Sequence, residues 1–429
     1  MKLILLDIDA SARRNFDPIG LSRPLFELRT GITNLAEKLI AQTKPDSVAC
    51  FIPEYLATVY RMETDMPVND MSQLAGDDLL LVNPVVKADS LNVDAGGPSQ
   101  VCLGPDGTLL YSLVRAADLD KIEGQCIYSW IQSARDTLTN TQADLPMWNY
   151  AWDLMLANPD QLTVDFAAIG HSGIEGSVEQ PNAIRGSDKD VFIAPGAVVH
   201  PMVVFDAEHG PIYIDENVEI HPFTRIEGPC FVGKNSILLG AKCREGNSIG
   251  EFCRIGGEVE ESIIQSYSNK YHDGFLGHAY VGQWVNLGAM TTNSDLKNDY
   301  SSVSMMLGGG PPIDTGSTKV GSLIGDHTKT SIGVLFNTGS VVGAMGLIMA
   351  TGTPLPKFIP SFAWFLNGVV TKGFGKKKLY ETARTAMSRR GQEFTDAHQA
   401  MFDMVFELTA EPRQAALKKG RKQMAARQN

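Results

Sequence analysis

Aliphatic residues recur at every sixth position from Ile214 through Ile220, Ile226 and Val232 to Leu238. A helix repeats every 3.6 residues and a strand alternates every second one, so neither alone gives this period. Six residues per step marks a hexapeptide solenoid, in which three short strands make one coil. Each sixth residue points inward onto its counterpart in the next coil. Turn formers follow it, as in Val232-Gly233-Lys234-Asn235. The period returns at Ile193 and Val199, at Ile249 and Ile255, at Val281 and Leu287, and in the run Ile324, Thr330, Phe336, Val342, Ile348. The interval from Leu238 to Ile249 is one residue short of two periods, which predicts a slipped coil. Roughly two dozen such slots fit between Phe192 and Leu355.

Ahead of the repeats, short apolar runs alternate with amphipathic ones. Lys2 to Leu6, Ser47 to Ile52 and Asp78 to Val82 read as strands, and Gly31 to Ile40 and Tyr55 to Arg61 as helices. That alternation predicts an α/β layer with a mostly parallel sheet. Ligands of such sheets bind beyond the carboxyl ends of the strands, where Asp7, Asp9 and Asn83 stand. An aromatic helix over Trp148 to Met155 leads out of this half. After the repeats, Pro354 to Pro360 ends the solenoid and Phe362, Trp364 and Phe365 cover it. A helix from Lys376 to about Arg390 and a second from Asp396 to Leu408 follow. The stretch from Glu411 to Asn429 is basic and is expected to fray. The expected fold class is α/β plus β. Residues 1–165 form the α/β domain, 166–190 a linker, 191–356 the solenoid, and 357–429 a cap and helical basic tail.

The net charge of -12 disfavours non-specific nucleic-acid binding. The tail from Lys376 onward carries twelve Lys/Arg against six Asp/Glu, so the rest of the chain is strongly acidic. None of the six cysteines forms a CxxC pair, which argues a reducing compartment and no disulfide framework. The opening Met1 to Ala10 run is broken by Asp7 and reads as a first strand, and no apolar run approaches a membrane span. A cytoplasmic location is expected. His200, His209 and His221 are spaced by nine and twelve residues, which matches no local ligand motif. No metal site is expected from them.

Polar chemistry concentrates between Ser262 and Tyr300, where Asn269, Lys270, His272, Asp273, His278, Asn286, Asn293, Lys297 and Asn298 interrupt the apolar period. This stretch resembles the acetyltransferase site of the bifunctional GlmU family, in a divergent bacterial branch. The resemblance rests on Leu276-Gly277, Val281-Gly282 and Gln283-Trp284-Val285-Asn286-Leu287-Gly288-Ala289, preceded by a histidine. It extends to the N-terminal half through Phe16-Asp17-Pro18, Arg23-Pro24 and Glu27-Leu28-Arg29, which are similar to a sugar-nucleotidyltransferase domain. It reaches the tail through Thr382-Ala383-Arg384 and Arg389-Arg390-Gly391.

The resemblance implies a left-handed parallel β-helix, a homotrimer, and a CoA-dependent N-acetyltransferase acting on an amino-sugar phosphate. Glucosamine-1-phosphate is the expected acceptor, with uridylyl transfer to UDP-N-acetylglucosamine as the coupled step. It places His272 on the general base, with His278 as the rival, and Asn286 on an amino-sugar contact. An imidazole titrating near pH 6.5 can take the amine proton as the amine attacks a thioester. Arg244, Arg254, Lys270 and Lys297 are candidates to hold the phosphate, with Asn269 beside them. Ala289, Ser322, Lys329, Thr330 and Ala344 fall where acetyl-CoA is lined in that family. The sequence departs from the family at Phe275, where a tyrosine is expected. It departs again at Gly256-Gly257-Glu258, where a basic residue is expected. After the first strand, Asp7-Ile8-Asp9-Ala10-Ser11 replaces a Gly-rich phosphate loop. Arg13, Arg14, Arg23 and Arg29 would then supply charge for a nucleotide, with Asn83 nearby and Mg2+ required if that half is active. Two other readings remain open. One is a nucleotidyltransferase whose solenoid regulates or assembles the oligomer; the other is a non-catalytic trimeric scaffold.

Overall fold

The computed structural model describes residues 1–427. Two compact units result. The first comprises 1–13, 23–28 and 33–149; the second comprises 14–22, 29–32 and everything from Tyr150 onward.

The first unit is a six-stranded sheet in the order β2-β1-β3-β5-β4-β6. Its strands are β1 (Lys2–Leu6), β2 (Ser47–Phe51), β3 (Leu79–Val82), β4 (Gln100–Leu103), β5 (Leu109–Val114) and β6 (Thr139–Gln142). β1 is parallel to β2 and β3, but β5 runs antiparallel to both β3 and β4. The sheet is therefore mostly parallel, as expected, with β4 and β6 running the same way as β1 and only β5 reversed. The reversal of β5 has a local cause: Asp106-Gly107, with Gly107 at φ 82°, closes β4 onto β5 as a tight hairpin. The helix expected over 31–40 is Leu35–Thr43, because Asn34 and Glu37 cap it reciprocally at 2.8 and 2.7 Å. Helices Glu54–Glu63 and Ile127–Thr137 complete this unit. Trp130, Ile131 and Ala134 of the latter pack with Ile4, Leu81 and Val101.

The second unit is a parallel β-solenoid. One face is a sheet of ten strands, from Gly173–Ile174 to Phe358–Ile359. The inner stack contains the predicted sixth residues, among them Ile193, Ile220, Ile226, Val232, Leu238, Ile249, Ile255, Val281, Ile324 and Val342, all buried. The slipped coil is present. Lys242 and Cys243 form the strand after Ile237–Leu238, so Cys243 becomes the inner residue only five positions on.

Three boundaries differ from the periodicity. Gly173–Ile174, Ser177–Val178 and Ala183–Arg185 pair with the next coil, so the solenoid starts within the expected linker. It also runs past Leu355, since Phe358–Ile359 and Trp364–Leu366 add parallel strands; the terminating hairpin partner is Val369–Thr371. Finally, the last basic stretch is a helix, Ala410–Ala426, rather than a frayed end. Arg413 lies 3.5 Å over the Phe406 ring and donates to the Phe406 carbonyl at 2.8 Å. Gly420 lets this helix approach Val370, whose carbonyl oxygen a β-carbon at that position would strike.

The helix Asn158–Ile169 is pinned to the solenoid by buried hydrogen bonds. Asn158 accepts from the Gly31 N–H at 2.7 Å and donates to the Gly246 carbonyl at 2.8 Å. The aromatic residues expected in one helix divide. Trp152 is buried in the helix Ala151–Leu156, while Trp148 precedes it and takes the Lys87 ammonium over its ring at 4.2 Å.

Candidate active site

One register on successive coils carries Arg254, Asn269, Asn286 and Lys329. Strand alternation turns these side chains outward while their neighbours Ile255, Lys270, Leu287 and Thr330 turn inward. The outward row forms one wall of a groove of about 1070 Å3, and His272 and Ala289 also line it. The opposite wall is the helix Lys376–Ser388, whose Lys378, Glu381, Thr382, Thr385 and Ala386 share one face at 3- and 4-residue spacing. Arg389 and Arg390 close the end of the groove.

The corner beside this row repeats a left-handed residue three positions after each inner residue. In the early coils it is Gly196, Asn217 or Asn235, the types that tolerate positive φ. Where the groove opens it becomes Phe252, Tyr267 and Trp284, at φ 55°, 64° and 59°. Their rings stack at 4.9 and 4.3 Å with interplanar angles of 4° and 12°. Tyr267 and Trp284 line the groove.

Polar contacts across the groove are specific. Asn269 donates to the Asn286 side-chain oxygen at 3.2 Å and accepts from Arg390 at 3.1 Å. Arg254 donates to the carbonyls of Asn235 and Cys253, both at 2.9 Å. Burial and then the nearby Arg390 charge depress the Arg254 pKa. The Arg390 Nε is buried without a hydrogen-bond partner. Two guanidiniums in one groove, one with an unmet donor, make a site complementary to an anion.

His272 is exposed on the turn between Asn269–Lys270 and Phe275–Gly277, with the Tyr271 ring 4.9 Å away. Lys270 does not reach the groove. It is 2% exposed, occupies the inner position between Ile264 and Leu276, and donates to the carbonyls of Gly256 and His272. Burial lowers its pKa to about 8. The apolar period is thus not lost here; a lysine stands in it and ties down the turn that carries His272. Lys329 behaves similarly. It donates to the carbonyls of Trp284 and His327, and burial lowers it to about 7 despite Asp326. Thr330 accepts from the Gly288 N–H at 2.8 Å.

The rival histidine is buried. His278 Nδ1 lies 2.8 Å from Asp295 and Nε2 lies 3.2 Å from Glu261. Burial lowers its pKa, but the two carboxylates outweigh that and raise it to about 9. A histidine held protonated between two acids is a poor base at neutral pH.

Other expected residues stand apart from the groove. Arg244 is paired with Glu260 at 2.7 Å on the coil's third face. Lys297 donates to Ser301 at 3.1 Å and to the Ser302 carbonyl within its own loop. Ser322 and Ala344 are fully buried in the coils.

In the first unit a cavity of about 380 Å3 opens beside Leu6, Ile8, Asp9, Asn83, Asp106, Tyr128 and Arg135. Asn83 donates to the Leu109 carbonyl at 3.1 Å. Arg23 is buried and its carbonyl accepts from Arg13 at 3.1 Å. Arg29 belongs to the second unit, where it lies 5.1 Å over Phe231 and donates to the Ile32 carbonyl. Arg23 and Asn83 thus lie in the first unit and Arg29 in the second. A magnesium ion takes carboxylate oxygens in an octahedral set. Here Asp106 accepts from Thr108 on both oxygens, and Asp9 caps Ser11 and Ala12. Asp7 is paired with Arg13. These residues do not assemble a magnesium site.

The fold and groove define a hexapeptide-solenoid protein with an α/β domain ahead of it. Comparison with known proteins agrees. Residues 3–172 match the family described as sugar nucleotidyl transferase. The chain is similar to the bifunctional protein GlmU of Thermotoga petrophila, at 25% identity over 213 residues, covering 44% of this chain and 43% of that protein. It is also similar to GlmU of Azorhizobium caulinodans, at 32% over 134 residues, covering 30% and 29% respectively. A bifunctional sugar-1-phosphate nucleotidylyltransferase/acetyltransferase of Sulfurisphaera tokodaii is 34% identical over 147 residues, covering 32% and 35%. The chain spans less than half the length of these relatives. Together the matches and the fold support a divergent GlmU-like family. No helix among the described residues is long and apolar enough to cross a membrane.

Proposed function

We propose that this chain is a CoA-dependent N-acetyltransferase acting on an amino-sugar phosphate, with glucosamine-1-phosphate as acceptor. The observation that carries the reading is a single groove holding an exposed imidazole, a bridged asparagine pair and two adjacent guanidiniums. In this reading the acceptor amine attacks the thioester carbonyl carbon. The C–N bond forms, the C–S bond breaks, and the thiol leaves. His272 takes the amine proton. Asn286 orients the sugar, and Arg254 and Arg390 hold its phosphate. Ala289, Lys329 and Thr330 line the part of the groove assigned to acetyl-CoA. Ser322 and Ala344, buried here, are not assigned to it. The active form is a homotrimer.

The test is thiol release from acetyl-CoA in the presence of glucosamine-1-phosphate. Wild type should release thiol, and His272→Ala should be slowed about 10²–10⁴-fold, the range for loss of a general base. Arg390→Gln should raise the acceptor KM by about tenfold or more, since a charge-assisted hydrogen bond contributes about 1.5–3 kcal/mol. An unaltered rate in His272→Ala would remove this histidine as base. A folded wild type that releases no thiol would remove glucosamine-1-phosphate as acceptor and favour the scaffold reading.

The match of residues 3–172 to a sugar nucleotidyl transferase family supports a second reading, uridylyl transfer in the first unit. The cavity beyond β1 and β3 is its candidate site. UTP-dependent pyrophosphate release by the full chain measures it.

A further inference from the structure

The solenoid brings together side chains that sequence spacing keeps apart. Val199 pairs with Val178 in the preceding coil and with Ile220 in the following one. The next residues, Glu179, His200 and His221, are therefore stacked at one register. Their backbone N–H groups donate in turn to Val199, Ile220 and Leu238, each at 2.9 Å. Glu219 joins them from the strand Glu219–Ile220. Its Oε1 lies 3.2 Å from His200 Nε2 and 3.1 Å from His221 Nε2.

We propose that His200, Glu219 and His221 form a binding site for a divalent transition metal, with zinc as the best-matched ion. Zinc takes imidazole nitrogen and carboxylate oxygen at about 2.0–2.2 Å. Tetrahedral ligands at that radius stand about 3.3 Å apart, and both Glu219-to-histidine separations fall close to this. The three ligand atoms all lie within 4.8 Å of one another, so only the distance between the two imidazoles has to close. The far nitrogen of His200 supports the same assignment. Its Nδ1 lies 3.1 Å from the Glu179 carboxylate. A ligating histidine characteristically gives its other ring N–H to a carboxylate, which fixes the tautomer and the ring plane. Three protein ligands leave a fourth position to water, which suits a site whose side chains are all partly exposed. The ion would cross-link two successive coils. Neither this site nor its ligands take part in the groove chemistry proposed above.

The experiment is calorimetric titration of ZnCl2 into the full-length chain after chelator treatment and its removal. Beside it, Co2+ absorbance reports coordination geometry. Wild type should bind one zinc per chain, and Co2+ should give the intense visible bands of a four-coordinate site. His200→Ala, His221→Ala and Glu219→Gln should each weaken binding at least tenfold. His209→Ala and His272→Ala, which alter exposed histidines outside the cluster, should bind as wild type does. Zinc should also raise the thermal midpoint of wild type but not of His221→Ala. Should an alanine variant fail to fold, Glu219→Gln keeps a polar side chain of the same size and decides the matter. Wild type that takes up no zinc overturns the proposal. So does binding that survives both histidine substitutions or is lost in His272→Ala.

Discussion

His272 and His278 are six residues apart in sequence and live in opposite surroundings. The first is exposed on a turn; the second is sealed between Asp295 and Glu261. Because the folded pKa of His278, about 9, exceeds its unfolded value near 6.5, its pairing stabilises fully below about pH 6.5. That stability is lost as pH rises through about 9. Its size is on the order of 3 kcal/mol, since each tenfold gain in proton affinity on folding is worth about 1.36 kcal/mol. Lys270 and Lys329, depressed by burial to about 8 and about 7, act in the reverse sense. Each costs stability at neutral pH and recovers it toward pH 10.5. The informative quantity is therefore the gap between wild type and His278→Asn in urea denaturation. It should be about 3 kcal/mol at pH 6 and shrink by most of that above pH 9. An equal gap at both pH values would show that the ion pairs do not hold the proton.

At the scale of elements, the solenoid corner explains why the groove lies where it does. Gly196, Asn217 and Asn235 accept positive φ cheaply, whereas Phe252, Tyr267 and Trp284 adopt it under strain. Ring stacking, about 0.5–1.5 kcal/mol per pair, offsets part of that strain. It also builds an aromatic edge beside the row of Arg254, Asn269 and Asn286. Two truncations separate these contributions. Tyr267→Ala loses the stacking and keeps the strain; Tyr267→Gly loses both. Tyr267→Gly should be the more stable of the two by about 1–2 kcal/mol in chemical denaturation. Equal stabilities would mean that the left-handed corner imposes no cost. The helix Lys376–Ser388 is the other element the groove needs, because its C-terminal end delivers Arg390 to Asn269.

For the whole molecule, charge is distributed unevenly along the chain: a basic C-terminal segment follows a strongly acidic remainder. The three C-terminal helices belong to the solenoid unit, where Lys376 pairs with Asp403 at 2.5 Å and Arg413 covers Phe406. Much of the basic segment is thus engaged in folding. The proposed homotrimer makes a direct prediction. Light scattering after size exclusion should give three times the chain mass of 46.6 kDa, that is about 140 kDa. A monomer at working concentration, with thiol release intact, would place the whole site within one chain.

The sequence alone determined the solenoid and the ends of several elements. Strand and turn geometry repeats every six residues, so the inner row from Ile193 to Ile348 is written in local spacing. The same spacing also held a message easily overlooked. Ile264, Lys270 and Leu276 keep the period, which puts Lys270 inside before any chemistry is assigned to it. The mostly parallel sheet was written in the alternation of strands and helices, whereas the reversed strand β5 was not read from it. Only the tertiary structure decided the rest. The carboxylates around His278 come from neighbouring coils, Arg390 reaches Asn269 from 121 residues away, and Glu219 meets His200 across a coil boundary. Outward side chains on a solenoid carry no period of their own. What they face is set by coil lengths and by which distant helix docks on them, and neither is encoded at the spacing of a motif.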